Sequence, residues 1–168
     1  MKPKAHTSTK AYTLIEILVV LTIVAILFTV GYVGYRDFGR RQALAGIAKQ
    51  IEGDLRLAQQ MALSGEKPQS QACLNNALDG ISFGISSAPY YYRIRAVCGN
   101  GGYTTYPLIK EVAFPTDITP TINIATAIIF KVLGQGTNIP GSNAVITLTQ
   151  AGTNKTISIT VEPGGSIR

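Results

Sequence analysis

The chain is poor in the residues that most catalytic and metal sites require. Its one histidine, His6, lies near the N-terminus, and its two cysteines, Cys73 and Cys98, form no C-x-x-C pair. A zinc site or a Cys/His nucleophile therefore lacks its parts. Asp54, Asp79, Glu111 and Asp117 are scattered, without the close pairing of acids that glycoside hydrolysis needs. Acids are also too sparse for a dedicated calcium loop. Gly134-Gln135-Gly136 belongs to no Walker or dinucleotide pattern and reads as a turn. No enzymatic activity and no cofactor are expected. Charge is missing too, over one particular stretch. From Ile17 to Tyr35 nineteen consecutive residues carry none. As a helix they span roughly 28 Å, about one hydrocarbon core. The run reads as a membrane span.

What remains is enough for one folded domain. The chain has 168 residues, 46% of them hydrophobic, which excludes a disordered protein. The formal charge of +6 is concentrated at the start. Lys2, Lys4 and Lys10 fall in the first ten residues, which contain no acid. Without them 15 − 3 = 12 basic residues face nine acidic ones, leaving a mildly basic, solvated surface at +3. A disulfide between Cys73 and Cys98 suits a domain outside the cytoplasm, and two buried free thiols are the alternative. Such a bond closes a loop of about 26 residues, worth roughly 3–4 kcal/mol by chain entropy.

The basic leader meets the apolar run at Lys10-Ala11-Tyr12-Thr13-Leu14-Ile15-Glu16. A secretory signal would place small residues after the run, but Gly31-Tyr32-Val33-Gly34-Tyr35 fits that pattern poorly. The small residue at a plausible cut, Ala11, comes before the run, so cleavage there leaves the apolar helix on the product. Glu16 is the one charge between Lys10 and Arg36. A carboxylate inside such a run costs a few kcal/mol at the bilayer centre and marks function by default.

Ala11-Tyr12-Thr13-Leu14-Ile15-Glu16, followed by Ile17-Leu18-Val19-Val20-Leu21, resembles the cleavage and methylation motif of type IV pilins and type II secretion pseudopilins. The resemblance implies that prepilin peptidase cuts between Ala11 and Tyr12 and methylates the Tyr12 amine. It implies that Glu16 pairs with the N-terminal amine of a neighbouring subunit during assembly. It also implies a single-pass protein of the bacterial inner membrane with its C-terminal domain outside the cytoplasm. Other pilin or pseudopilin subunits and an inner-membrane assembly platform are its expected partners. Two features depart from the family: it usually has Gly before the cut and Phe after it, and it often has a proline midway along the helix. No proline occurs here from Tyr12 to Lys67. Arg36, Arg40 and Arg41 behind the span nearly balance the lysines before it, so the basic residues alone do not orient the chain.

Helical periodicity continues past the span. Leu44, Ile47, Ala48, Ile51, Leu55, Ala58 and Ala62 recur at spacings of three and four and read as a core stripe, with a stop at Ser64-Gly65. Beyond Lys67 the sequence turns to short Ile-, Val-, Thr- and Tyr-rich runs. Strands are predicted at 80–85, 90–97, 103–114, 121–124, 127–133, 144–149 and 155–161, with a hairpin turn at 151–154. The expected fold class is α+β: a long N-terminal helix packed on an antiparallel β-sheet domain. The expected divisions are a leader at 1–11, a membrane or filament-core helix at 12–35, its amphipathic continuation at 36–65, and an extracytoplasmic β-rich domain at 66–168. Residues 54–62, 129–134 and 161–168 are similar to minor pseudopilin H of type II secretion and related minor pilins. That narrower resemblance implies a minor rather than a bulk subunit. DNA is the alternative partner. Arg93, Arg95, Lys131 and Arg168, with Lys110 and Lys155, are interleaved with Tyr90, Tyr91, Tyr92 and Tyr103, and could hold phosphates while the rings stack on bases.

Overall fold

A computed structural model of the chain describes residues 13–100 and 103–168. The expected cut between Ala11 and Tyr12 lies outside the described residues. The architecture is α+β: helix α1 (Leu14–Ser64), a short α2 (Gln71–Leu74) and eight strands. The chain divides into two compact units between Gly39 and Arg40, each described by itself below.

In the first unit α1 is apolar nearly all round. The large side chains from Leu14 to Phe28 are exposed. Two hydroxyls between Leu14 and Thr29 are satisfied within the helix: those of Thr22 and Thr29 donate to the Val19 and Ala25 carbonyls, each at 2.8 Å. An apolar solvent therefore meets no orphaned hydroxyl there. Among the described residues, α1 is the one helix long and apolar enough to cross a membrane.

In the second unit the predicted stripe is the spine of the core. Leu44, Ala48, Ile51, Leu55, Ala58 and Ala62 are buried, and Ile47 packs beside them. Truncating any of the larger ones to Ala costs about 2–5 kcal/mol. α1 ends in a Schellman motif: Gly65 takes φ 65°, its N–H donates to Ala62 O, and Glu66 N–H donates to Met61 O.

Two antiparallel sheets cover the stripe, where the sequence reading expects one. The first is built on β1 (Ala77–Ile85) and β2 (Tyr91–Asn100), flanked by β6 (Ile128–Lys131) beside β1. β3 (Tyr103–Thr105) and β4 (Leu108–Ala113) pair with successive parts of β2. The run predicted as one strand at 103–114 breaks at Pro107, which has no N–H to donate and whose carbonyl accepts from Ala96 N–H at 3.1 Å. The end of the predicted 127–133 strand instead forms a 3₁₀ turn, Val132–Gly134. The second sheet orders β5 (Ile118–Ile122), β7 (Ala144–Gln150) and β8 (Thr156–Val161). β5 begins before the predicted 121–124 strand and carries Pro120 on an edge, where a missing donor is tolerated. The 151–154 turn joins β7 to β8, with Gly152 at φ 83° and Asn154 at φ 49°. These left-handed values suit Gly and Asn.

The inner faces of both sheets close on α1. Phe83, Tyr92 and Phe114 form an aromatic chain, with ring centroids 5.3 and 5.5 Å apart. Cys73, on α2, is joined to Cys98, on β2, with Cα atoms 5.3 Å apart and both residues buried. The disulfide ties the segment leaving α1 to the middle of the first sheet.

Candidate functional site

The first candidate site is the start of α1. Thr13 caps the helix: its Oγ1 accepts the Glu16 backbone N–H at 3.3 Å, and its carbonyl accepts from Ile17 N–H at 3.3 Å. Thr13-Leu14-Ile15-Glu16 is thus one half of an S/T-x-x-E capping box. The other half is missing. Among the described residues the Glu16 carboxylate makes no hydrogen bond or ion pair, although it sits on an exposed helix face beside Ile15, Ile17 and Val20. A carboxylate on an apolar helix face is a group that a nearby cation would stabilise. A capping signal was available in these four residues, and it accounts for Thr13. It does not account for the charge of Glu16, which has no ion pair among the described residues.

The second constellation went unread in the sequence. Asp54 lies on the buried stripe of α1, three residues after Ile51 and four before Ala58, and is only 6% exposed. Tyr92 on β2 donates its hydroxyl to Asp54 Oδ2 at 2.6 Å. Lys110 Nζ on β4 donates to Oδ1 and Oδ2 at 2.7 and 2.8 Å. Burial first, and then the bond to Asp54, push the Tyr92 phenol well above its ordinary value. The arrangement is a polar clamp from helix to sheet. An acid at a core position of a helical repeat was the legible signal; its partners come from strands far along the chain.

The basic and aromatic residues singled out for DNA separate into different environments. Tyr92 is buried and Lys110 is committed to Asp54, so neither is free for a base or a phosphate. Arg168 pairs with Glu162 at 3.4 Å. Arg93 and Arg95 face away from the core on β2, and Lys131 is exposed on β6. Arg93 is engaged twice: it bonds Glu111 on β4 and lies over the Tyr91 ring, 4.0 Å from its centroid. The Glu111 bond pushes its guanidinium higher still. Arg95 has no ion pair among the described residues. Arg93 and Arg95 border a groove of about 520 Å³ on the outer face of the first sheet. Among the described residues no cluster of His, Cys, Asp and Glu could hold a metal ion.

Residues 7–32 match the family described as the prokaryotic N-terminal methylation motif. The match takes in Ala11, Tyr12, Thr13 and Glu16, together with most of the uncharged run. It supports a type IV pilin-like precursor. No curated protein and no solved structure matches the chain.

Proposed function

We propose that the chain is a minor pilin or pseudopilin, cleaved between Ala11 and Tyr12 by prepilin peptidase, N-methylated on Tyr12 and assembled into a type IV pilus or type II secretion pseudopilus. The observation that carries this reading is the Glu16 carboxylate, without an ion pair among the described residues, inside a methylation motif and at the start of an uncharged helical run. Cleavage creates the amine of Tyr12. In a neighbouring subunit that amine is the cation Glu16 lacks, and pairing within an apolar filament core would set the axial register between subunits. The uncharged helix first holds the subunit in the inner membrane and then packs against other subunits. The β-rich domain, with its disulfide, lies outside the cytoplasm and meets partners there. The chain acts as a structural subunit, and its assembly uses the inner-membrane platform.

Co-expression of the full chain with a prepilin peptidase, followed by mass spectrometry of the N-terminus, tests the proposal. The expected product starts at a methylated Tyr12. A product still starting at Met1, with the peptidase active on a control substrate, refutes it.

DNA uptake is the second reading. Arg93, Arg95 and Lys131 point outward on one sheet, which favours it, but the commitment of Tyr92 and Lys110 to Asp54 weakens it. A gel shift with the full chain in detergent, repeated across salt concentrations, tests this reading. Binding that weakens steeply with salt supports it, and absence of binding excludes it.

A further inference from the structure

β1 carries its smallest side chains on the face turned away from the core. Ile81 and Phe83 are fully buried, so Ser82 and Gly84 take the opposite face. Across the sheet Ser82 pairs with Arg95 on one side and Ile129 on the other, and Gly84 pairs with Arg93. Small residues between larger ones leave a trough. Its volume, about 520 Å³, falls within the roughly 300–1,000 Å³ of ligand sites.

One wall of the trough is held in place before any ligand arrives. Glu111 bonds Arg93, and Arg93 covers the Tyr91 ring. Of the two guanidinium groups in the lining, Arg93 is committed to Glu111, and Arg95, half-buried, has no acid partner among the described residues. Around that charge the lining mixes apolar side chains with Ser82, Ser86, Thr126 and Asn138, of which Ser82, Ser86 and Asn138 already donate to backbone carbonyls. Ile129 and Tyr106 line the groove, and Leu108, which pairs with Arg95 across β4, continues it; Tyr106 and Leu108 are 52% and 54% exposed.

We propose that this groove docks an extended segment of another protein, one that presents a single carboxylate between apolar or aromatic side chains, with Arg95 taking the carboxylate. Charge complementarity selects this occupant. A nucleic-acid strand brings a row of phosphates, whereas the groove's lining offers one guanidinium free of an acid partner among the described residues, Arg93 being committed to Glu111 and Lys131 lying outside the lining. The apolar surface reaching past the groove to Leu108 suits a chain longer than a small molecule.

Fluorescence anisotropy on the full chain in detergent micelles tests the proposal. The probes are a labelled short peptide centred on Leu-Glu-Phe, the same peptide with Gln for Glu, and labelled oligo-dT. The Glu peptide is expected to bind at least ten-fold more tightly than the Gln peptide. Arg95→Ala is expected to abolish that difference, and Tyr106→Ala to weaken binding several-fold. Lys155→Ala, just before β8 in the second sheet and outside the groove's lining, should leave it unchanged. Near-UV circular dichroism of each variant confirms that the fold is retained. Equal binding of the two peptides, or an Arg95→Ala variant that binds like the parent, overturns the proposal. Tighter binding of oligo-dT that depends on Arg95 also overturns it and assigns the groove to nucleic acid.

Discussion

Replacing Asp54 by Ala removes the acceptor that holds α1 to the first sheet, and the structure sets the size of the loss. The Tyr92 hydroxyl, on a residue 1% exposed, would be left without its 2.6 Å partner. An orphaned buried donor costs about 1–3 kcal/mol. Lys110 would lose both of its bonds, but its side chain is 38% exposed and can turn to water. Its share is therefore discounted to about 1 kcal/mol. The total is about 2–4 kcal/mol, a large fraction of the stability of a domain this size. Urea unfolding of the full chain in detergent micelles, followed by near-UV circular dichroism, measures it as a lower midpoint with an unchanged slope. A double-mutant cycle with Lys110→Met sharpens the test. The pair should lose less than the sum of the singles, because Met removes the charge that Asp54→Ala strands. An Asp54→Ala variant within about 0.5 kcal/mol of the parent, or strict additivity in the cycle, refutes the clamp.

The same clamp makes stability depend on alkaline pH. Folded Tyr92 keeps its proton above its ordinary pKa of 10.0, while the unfolded chain releases it. The folded state then binds more protons, so this contribution is intact below pH 10 and is lost as pH rises beyond it. Tyr92→Phe should flatten the decline above pH 10 by up to about 1.4 kcal/mol per pH unit, measured as unfolding midpoints against pH. Replacing Cys73 and Cys98 together by Ser opens a loop whose ends are 25 residues apart. Loss of that cross-link should cost about 3–4 kcal/mol in urea, and dithiothreitol should no longer affect the variant. Gly80 sits at a bulge where an added Cβ would press on the Phe130 carbonyl oxygen and the Ile129 side chain. Gly80→Ala should lower stability by about 1–3 kcal/mol, read as a drop in thermal midpoint. Glu16→Gln should leave unfolding of the β-rich domain unchanged while removing the subunit from sheared filaments, measured by immunoblot. Normal incorporation of this variant would exclude a role for its charge in assembly.

Local pattern made much of the architecture legible. The stripe from Leu44 to Ala62 is a helical repeat, and its residues are the buried ones. The alternation in β7 and β8 and the turn between them follow from residue type at fixed spacing. The misreadings fell where pairing outweighs propensity. Residues 103–114 are β-prone throughout, yet Pro107 divides them into two strands that pair with different parts of β2. The division into two sheets is a matter of which strand finds which neighbour, and no window of sequence contains that information.

The motif at the start of the chain was readable because its meaning lies in contiguous residues. A basic leader, the small residue Ala11, Glu16 and an uncharged run long enough to cross a membrane are all matters of local chemistry, and together they carry the resemblance to a prepilin. The groove and the clamp could be read only in the folded molecule. Asp54, Tyr92 and Lys110 lie on three different elements, and the same basic string that suggested phosphate contacts divides into a clamp partner, Lys110, two arginines paired with acids, Arg93 and Arg168, and others, Arg95 among them, without an ion pair among the described residues. Charge in a sequence is a count of residues. Charge available to a partner is what remains after strand register has paired each group with its neighbour, and only the tertiary structure decides that remainder.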